Sequence, residues 1–177
     1  MYDINDILSD PVLREAIISR LIKEEGFCRM RGDVDLVIRD QATGRIKGKR
    51  LVRNLVVNTG LYHIADRLQD DPADEAAMGW AAIGTNNTAA TATDNALFAE
   101  VGRVAFTSKI QGTGGNANQV TYSATVPAGT GTGTIVEAGL FNASSGGIML
   151  ARSIFAPIVK GSGDAIDISW VLTISAA

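Results

Sequence analysis

From Gln119 to Ser175, apolar side chains recur at every second position or fill whole runs, and small polar turns cut the stretch into four strand candidates. At 165–175, Ile166, Ile168, Trp170, Leu172 and Ile174 alternate with Asp167, Ser169, Thr173 and Ser175, so one strand face is apolar and the other mostly polar. At 119–126, Val120, Tyr122, Ala124 and Val126 alternate in the same way with Gln119, Thr121, Ser123 and Thr125. The segments 134–142 and 148–155 are apolar on both faces, as expected of strands in the middle of a two-layer β structure. Turns at 127–133, 143–147 and 157–164 separate the four.

The earlier chain is more varied. Asp10 as an N-cap and Pro11 at the first helical position predict a helix to about Glu25, stopped by Gly26. Its row Leu13, Ile17 and Leu21, widened by Ile18 and Ile22, is apolar enough to need cover from its own domain or from a neighbouring subunit. Val34, Leu36 and Ile38 alternate with polar residues; a turn at 40–44 and a return strand from Arg45 to about Val57 complete a predicted hairpin. Asn58-Thr59-Gly60 opens a second helix, with Leu61, Ile64, Ala65 and Leu68 on its apolar face and a stop at Asp70-Asp71-Pro72. Residues 80–84 form a short buried strand, and a loop of small polar residues follows. Asp94 is expected to cap a single turn carrying Leu97, Phe98 and Val101. A strand at 103–108 and a glycine-rich hairpin tip at 111–118 complete the pattern.

Composition narrows this to a mainly β protein. A chain of 177 residues fits one domain, or one domain with an appendage, and needs no disulfide or metal to fold. The single cysteine, Cys28, excludes an intramolecular disulfide and suits a reducing cytoplasm. Asp3 and Asp6 precede any apolar run, unlike a signal peptide, and no stretch is long and apolar enough to span a bilayer, so no membrane contact is expected. Residues 1–67 hold 12 basic and 10 acidic side chains, whereas 68–177 hold 4 and 9. The shift suggests two modules: a charged arm at 1–53 (helix plus hairpin, for attachment or intersubunit contact) and a β domain at 54–177.

Arg45, Lys47, Lys49, Arg50 and Arg53 crowd the return strand. Interleaved positive charge suits phosphates, yet no aromatic residue sits among them to stack bases. Asp33, Asp35 and Asp40 stand across the hairpin to pair with them. A solvated, edge-protecting strand is the better reading, with no specific nucleic-acid partner. Together with Leu13, Ile17, Leu21 and Ile22, these cations are the candidate partner contacts.

Catalytic and metal-binding patterns are missing. Asp70, Asp71, Asp74 and Glu75 lack the spacing of a calcium loop. His63 is the only histidine, so a zinc site of usual composition cannot be assembled. Asp66 lies one helical turn from His63, but no Gly-x-Ser-x-Gly elbow accompanies the pair. The run Gly129-Thr-Gly-Thr-Gly lacks the Gly-Lys-Ser/Thr ending of a phosphate loop and precedes a strand. Arg31-Gly32-Asp33 matches an integrin-type tripeptide, but Asp33 begins a regular strand. The expectation is a non-enzyme without cofactor, metal or catalytic residues.

Several segments, taken in order, resemble a family of small virion proteins of tailed bacteriophages. They are Asn54-Leu-Val-Val-Asn-Thr-Gly-Leu61 with Ile64-Ala-Asp-Arg-Leu68; Gly79-Trp-Ala-Ala-Ile-Gly-Thr85 with Ala92-Thr-Asp-Asn-Ala-Leu97; Glu100-Val-Gly-Arg103; Gln119–Thr125; and Glu137-Ala-Gly-Leu-Phe-Asn142 through Met149-Leu-Ala-Arg152. The resemblance spans about residues 54–175. It implies a β-sandwich or jelly-roll-like domain that assembles on a phage particle, and it implies no catalytic residues; the N-terminal helix and one or two small helices are added by the residue pattern alone. Proteins of this type occur as capsid decoration (cement) proteins, as fibre parts and as baseplate components. The short chain, without a repetitive shaft, favours decoration of the head shell. By analogy the oligomer is a trimer, made in the host cytoplasm and carried in the virion against the major capsid protein or tail proteins. The alternative is a tail-fibre, head-fibre or baseplate component, with or without carbohydrate-receptor binding; Trp80 and Tyr122 are the aromatics that could stack on sugars, although their apolar strand patterns favour core packing.

Overall fold

A computed structural model describes residues 28–69 and 76–176. The predicted helix at 10–25, with Leu13, Ile17, Leu21 and Ile22, and the acidic run at 70–75 lie outside the described residues. Residues 31–173 form one compact unit.

The alternation read from the sequence produces two antiparallel five-stranded sheets. The first has the order β2-β1-β10-β7-β6: β1 is Cys28–Asp40, β2 Ile46–Arg53, β6 Ser108–Gln111, β7 Gln119–Val126 and β10 Asp164–Ala176. The second has the order β3-β9-β8-β4-β5: β3 is Leu55–Val56, β4 Trp80–Gly84, β5 Glu100–Ala105, β8 Gly133–Phe141 and β9 Met149–Lys160. One α-helix is seen among the described residues, α1 at Asn58–Gln69. The architecture is a β-sandwich, as the sequence leads one to expect.

Both inner faces close on one core. Val34, Leu36 and Ile38 of β1, Val126 of β7, and Ile166, Ile168, Trp170 and Leu172 of β10 meet Ala81, Ile83, Ile135, Leu140 and Phe155 of the second sheet. Burial of such side chains stabilises by roughly 1.5–3 kcal/mol each. Their polar neighbours on β7 and β10 face outward in register, with Asp167 opposite Thr125 and Ser169 opposite Ser123. The tripeptide Arg31-Gly32-Asp33 is locked into β1, where Arg31 pairs with Asp33 at 2.6 Å.

Several boundaries differ from expectation, each for a local reason. The return strand of the hairpin ends at Arg53, not Val57, because Asn54 still donates its N–H to Gly32 while Leu55 pairs with Arg152 in the other sheet. The chain changes sheets there, so the division expected at 53/54 falls inside the sandwich. The strand expected at 103–108 is likewise two strands, β5 and β6, with the crossover at Phe106 and Thr107. Strand β9 runs past Pro157, where the sequence predicts a turn. Ile154 pairs with Glu137 but Ile158 with Ile135, so Pro157 falls in a bulge where no ladder donor is needed.

Helix α1 presents a different face from the one its periodicity suggests. Gly60 and His63 are buried and Ile64 half-buried, whereas Leu61, Ala65 and Leu68 are exposed, Leu68 to 84%. Gly60 decides the orientation. A Cβ there would stand 2.3 Å from the Leu150 carbonyl oxygen, so only glycine lets the first turn lie flush on β9. Thr59 Oγ1 donates to the Met149 carbonyl and fastens the same contact.

Candidate partner-binding surface

Two charged assemblies stand out, one buried and one exposed. The buried one forms where the outer face of the second sheet meets the loop between β4 and β5. Glu137 on β8 and Arg152 on β9 are both fully buried; Arg152 donates through Nε and Nη2 to Glu137 Oε2 at 3.0 and 2.8 Å, and through Nη1 to Asp94 Oδ2 at 2.9 Å. Glu137 also accepts the backbone N–H groups of Asn86, Phe98 and Ala99. Asp94 accepts the Thr91 hydroxyl and N–H. Burial works to raise the Asp94 pKa, but the bonds from Thr91 and Arg152 outweigh it and hold the carboxyl below its usual range. Gly84 makes room for the carboxylate, since a Cβ there would lie 2.4 Å from Glu137 Oε1.

This triad overturns the expected capped turn at 94–101. Asp94 spends its oxygens on Thr91 and Arg152, and the amides of Phe98 and Ala99 bind Glu137 instead of starting a helix. Leu97 is buried in the small outer cluster with Val57, Ala82, Phe141 and Met149, while the Phe98 ring lies 4.4 Å above the Arg152 guanidinium. Two features of the sequence pointed here: a glutamate and an arginine each sit inside a run apolar on both faces, and charges that are buried must be paired.

The exposed assembly is β2, an edge strand of the first sheet. Its four cations, and Arg45 just before it, do not act alike. Lys47 pairs with Asp164 and lies 3.9 Å from Asp40, and Arg50 crosses to β9, donating to the carbonyls of Ala156 at 3.0 Å and Pro157 at 2.7 Å. Those two close the side of the sandwich. Arg45, Lys49 and Arg53 are exposed, and no ion pair involves them among the described residues. Lys49 and Arg53 share the outward face of β2 with Leu51, which is 76% exposed. On β1 beside them stand Val37, Asp35 and Asp33, opposite Lys49, Leu51 and Arg53 in turn. Asp33 is taken by Arg31 and not by its cross-strand neighbour Arg53.

No protein-family model matches the chain, and neither a curated protein nor a solved structure matches it.

His63 lies buried on the inner side of α1. Among the described residues no cluster of three or more histidine, cysteine, aspartate or glutamate side chains is placed to hold a metal ion, and no helix is long and apolar enough to cross a membrane. The two aromatics considered for sugar stacking are each partly buried against an apolar cluster. Trp80 lies against the outer apolar cluster, and Tyr122 against the main core with its ring centroid 5.0 Å from that of Phe106. A shallow depression of about 240 Å³ on the outer face of the first sheet is lined by Asp35, Val37, Ser123, Thr125, Asp167 and Ser169. Asp167 there is committed to Arg39 at 2.6 Å and to the Thr125 hydroxyl, which hold its pKa down.

Proposed function

We propose that the chain is a structural component of a tailed-bacteriophage particle, a decoration (cement) protein that binds and stabilises the head shell. What supports this is the resemblance of its ordered segments to small virion proteins, together with where those segments lie in the fold. Three of the charged residues within them, Asp94, Glu137 and Arg152, converge on one buried ionic triad and satisfy one another and the backbone. Charges consumed in this way hold a scaffold together. On this reading the chain acts as a homo-oligomer, a trimer by analogy with other decoration proteins, made in the host cytoplasm and carried in the virion.

The test is a reconstitution. Purified chain is mixed with head shells that lack it, and with tails, and the particles are sedimented. Saturable recovery with heads at a fixed ratio to the major capsid protein is the expected result. Recovery with tails alone would replace the head assignment by a tail or baseplate one, and recovery with neither would overturn the proposal.

A further inference from the structure

On the outer face of the first sheet, the depression beside Asp35 combines three features that together specify a ligand. The first is its shape. Ser123 of β7 and Ser169 of β10 stand opposite each other in register, between the bulkier pairs Thr125–Asp167 and Thr121–Val171. The smallest pair on this part of the face therefore forms a floor, and the hollow above it holds about 240 Å³. The second feature is what remains unpaired around it. Asp167 is spent on Arg39 and on the Thr125 hydroxyl, and the Thr107 hydroxyl on the Ser123 carbonyl. Among the described residues, the Asp35 carboxylate and the hydroxyls of Ser123 and Ser169 make no ion pair or hydrogen bond. Arg31 holds Asp33 at 2.6 Å and leaves Asp35 free, while Lys49 and Arg53, diagonal to Asp35 on β2, form no ion pair with it. The third feature is Val37, half-buried, the next residue on the same face of β1 and an apolar wall of the same hollow.

We propose that this hollow binds a primary ammonium group carried on an alkyl stem, the chemistry shared by a lysine side chain and a free alkylamine. An ammonium has three N–H donors and accepts nothing. The free groups supply three acceptors for it: the Asp35 carboxylate and the two serine hydroxyls. The charge of Asp35 compensates the cation, and Val37 covers the stem. The same residues disfavour three other ligands. An anion would meet the carboxylates of Asp35 and Asp167. A divalent metal would find one uncommitted carboxylate, and among the described residues no cluster of three ligating side chains is placed to hold it. A sugar ring would find no aromatic face, since no aromatic residue lines the hollow. The inference goes beyond the virion reading and does not depend on it. Its test uses the isolated chain, so its failure is distinct from failure of the particle reconstitution.

The probe is n-butylammonium, titrated into the isotopically labelled chain at neutral pH and followed by backbone amide NMR signals. The uncharged control is n-butanol, and Ac-Ala-Lys-Ala-NH2 serves as a chain-borne source of the same group. The amine is expected to give saturable shifts at Val37, Ser123 and Ser169, with the millimolar affinity of one exposed charge pair, and n-butanol none. Asp35→Asn should weaken the amine by about tenfold or more. Ser169→Val fills the floor and should abolish binding. Thermal melts establish that both variants are folded. Binding of the peptide as well supports the proposal with a protein-borne lysine as the source, and binding of the amine alone supports it with a free amine. Absence of saturable shifts with the amine, equal shifts with n-butanol, or indifference to Asp35→Asn or to Ser169→Val would each overturn the proposal.

Discussion

Arg152 and Glu137 lie diagonally across neighbouring strands with both side chains fully buried, joined by two bonds to one carboxylate oxygen at 3.0 and 2.8 Å. A buried pair of this kind contributes little compared with a well-packed apolar pair, but losing one member strands the other charge. Arg152→Met removes the cation and leaves Glu137 and Asp94 facing one another's charge without compensation. It should destabilise by about 3–5 kcal/mol in urea or guanidinium unfolding. Adding Glu137→Gln to Arg152→Met should recover part of that loss, because a neutral amide needs no counter-ion. A loss under about 1 kcal/mol for the single variant would mean that the triad is solvated and does not pin the loop.

Acid should weaken the fold through the same groups. Asp94 is held low by Thr91 and Arg152 against the effect of burial, Asp164 by Lys47, and Asp167 by Arg39. A carboxyl whose pKa is lower folded than unfolded contributes stability above its unfolded value, about 4, and that contribution is lost as pH falls through the folded value. Urea midpoints should therefore be flat from about pH 7 to 5 and fall below about pH 4. Asp94→Asn should start from a lower midpoint at neutral pH and lose less on acidification. An acid limb as steep as that of the unmodified chain would remove Asp94 from the account.

The two sides of α1 make opposite predictions. Leu68→Ser, on the exposed face, should change stability by no more than about 0.5 kcal/mol. Gly60→Ala drives a methyl group into the Leu150 backbone and should cost about 1–3 kcal/mol despite the better helix propensity of alanine. Thermal or denaturant unfolding of the two variants decides between this orientation and the one that the Leu61, Ile64, Ala65, Leu68 periodicity suggests.

The same contrast marks what the sequence reveals about this fold. Strands β7 and β10 were legible because side-chain alternation is a direct consequence of the pleat, and Ile166, Ile168, Trp170 and Leu172 point where their spacing says. The face of α1 was not, because its orientation follows from a missing side chain at Gly60 and not from its apolar residues. Neither crossover between sheets, at Asn54 or at Phe106 and Thr107, interrupts the apolar pattern, so long strands were read where the chain switches layer. Among the candidate contacts, the sequence listed five cations on one strand without distinguishing them. Tertiary partners 106 to 117 residues away, Asp164 for Lys47 and the Ala156 and Pro157 carbonyls for Arg50, take two of them out of play. The triad was written in the sequence only as charges in apolar runs, since Asp94, Glu137 and Arg152 lie on three separate segments.

Core truncation offers a check on the sandwich itself. Trp170 and Leu36 are fully buried in the main core, on adjacent strands β10 and β1. Leu36→Ala should cost about 2–5 kcal/mol by the lost burial and the cavity left behind. A cost of that size on β1 would establish that the hairpin belongs to the domain core and is not a detachable arm.

The central claim is that this scaffold serves as a decoration protein on a phage head. It is tested most directly by counting its copies per particle in purified virions, using quantitative mass spectrometry against the major capsid protein. The account predicts copies in the hundreds, in fixed ratio to the capsid protein and retained in heads after tails are removed. Absence from purified particles, or a handful of copies lost with the tails, would contradict it.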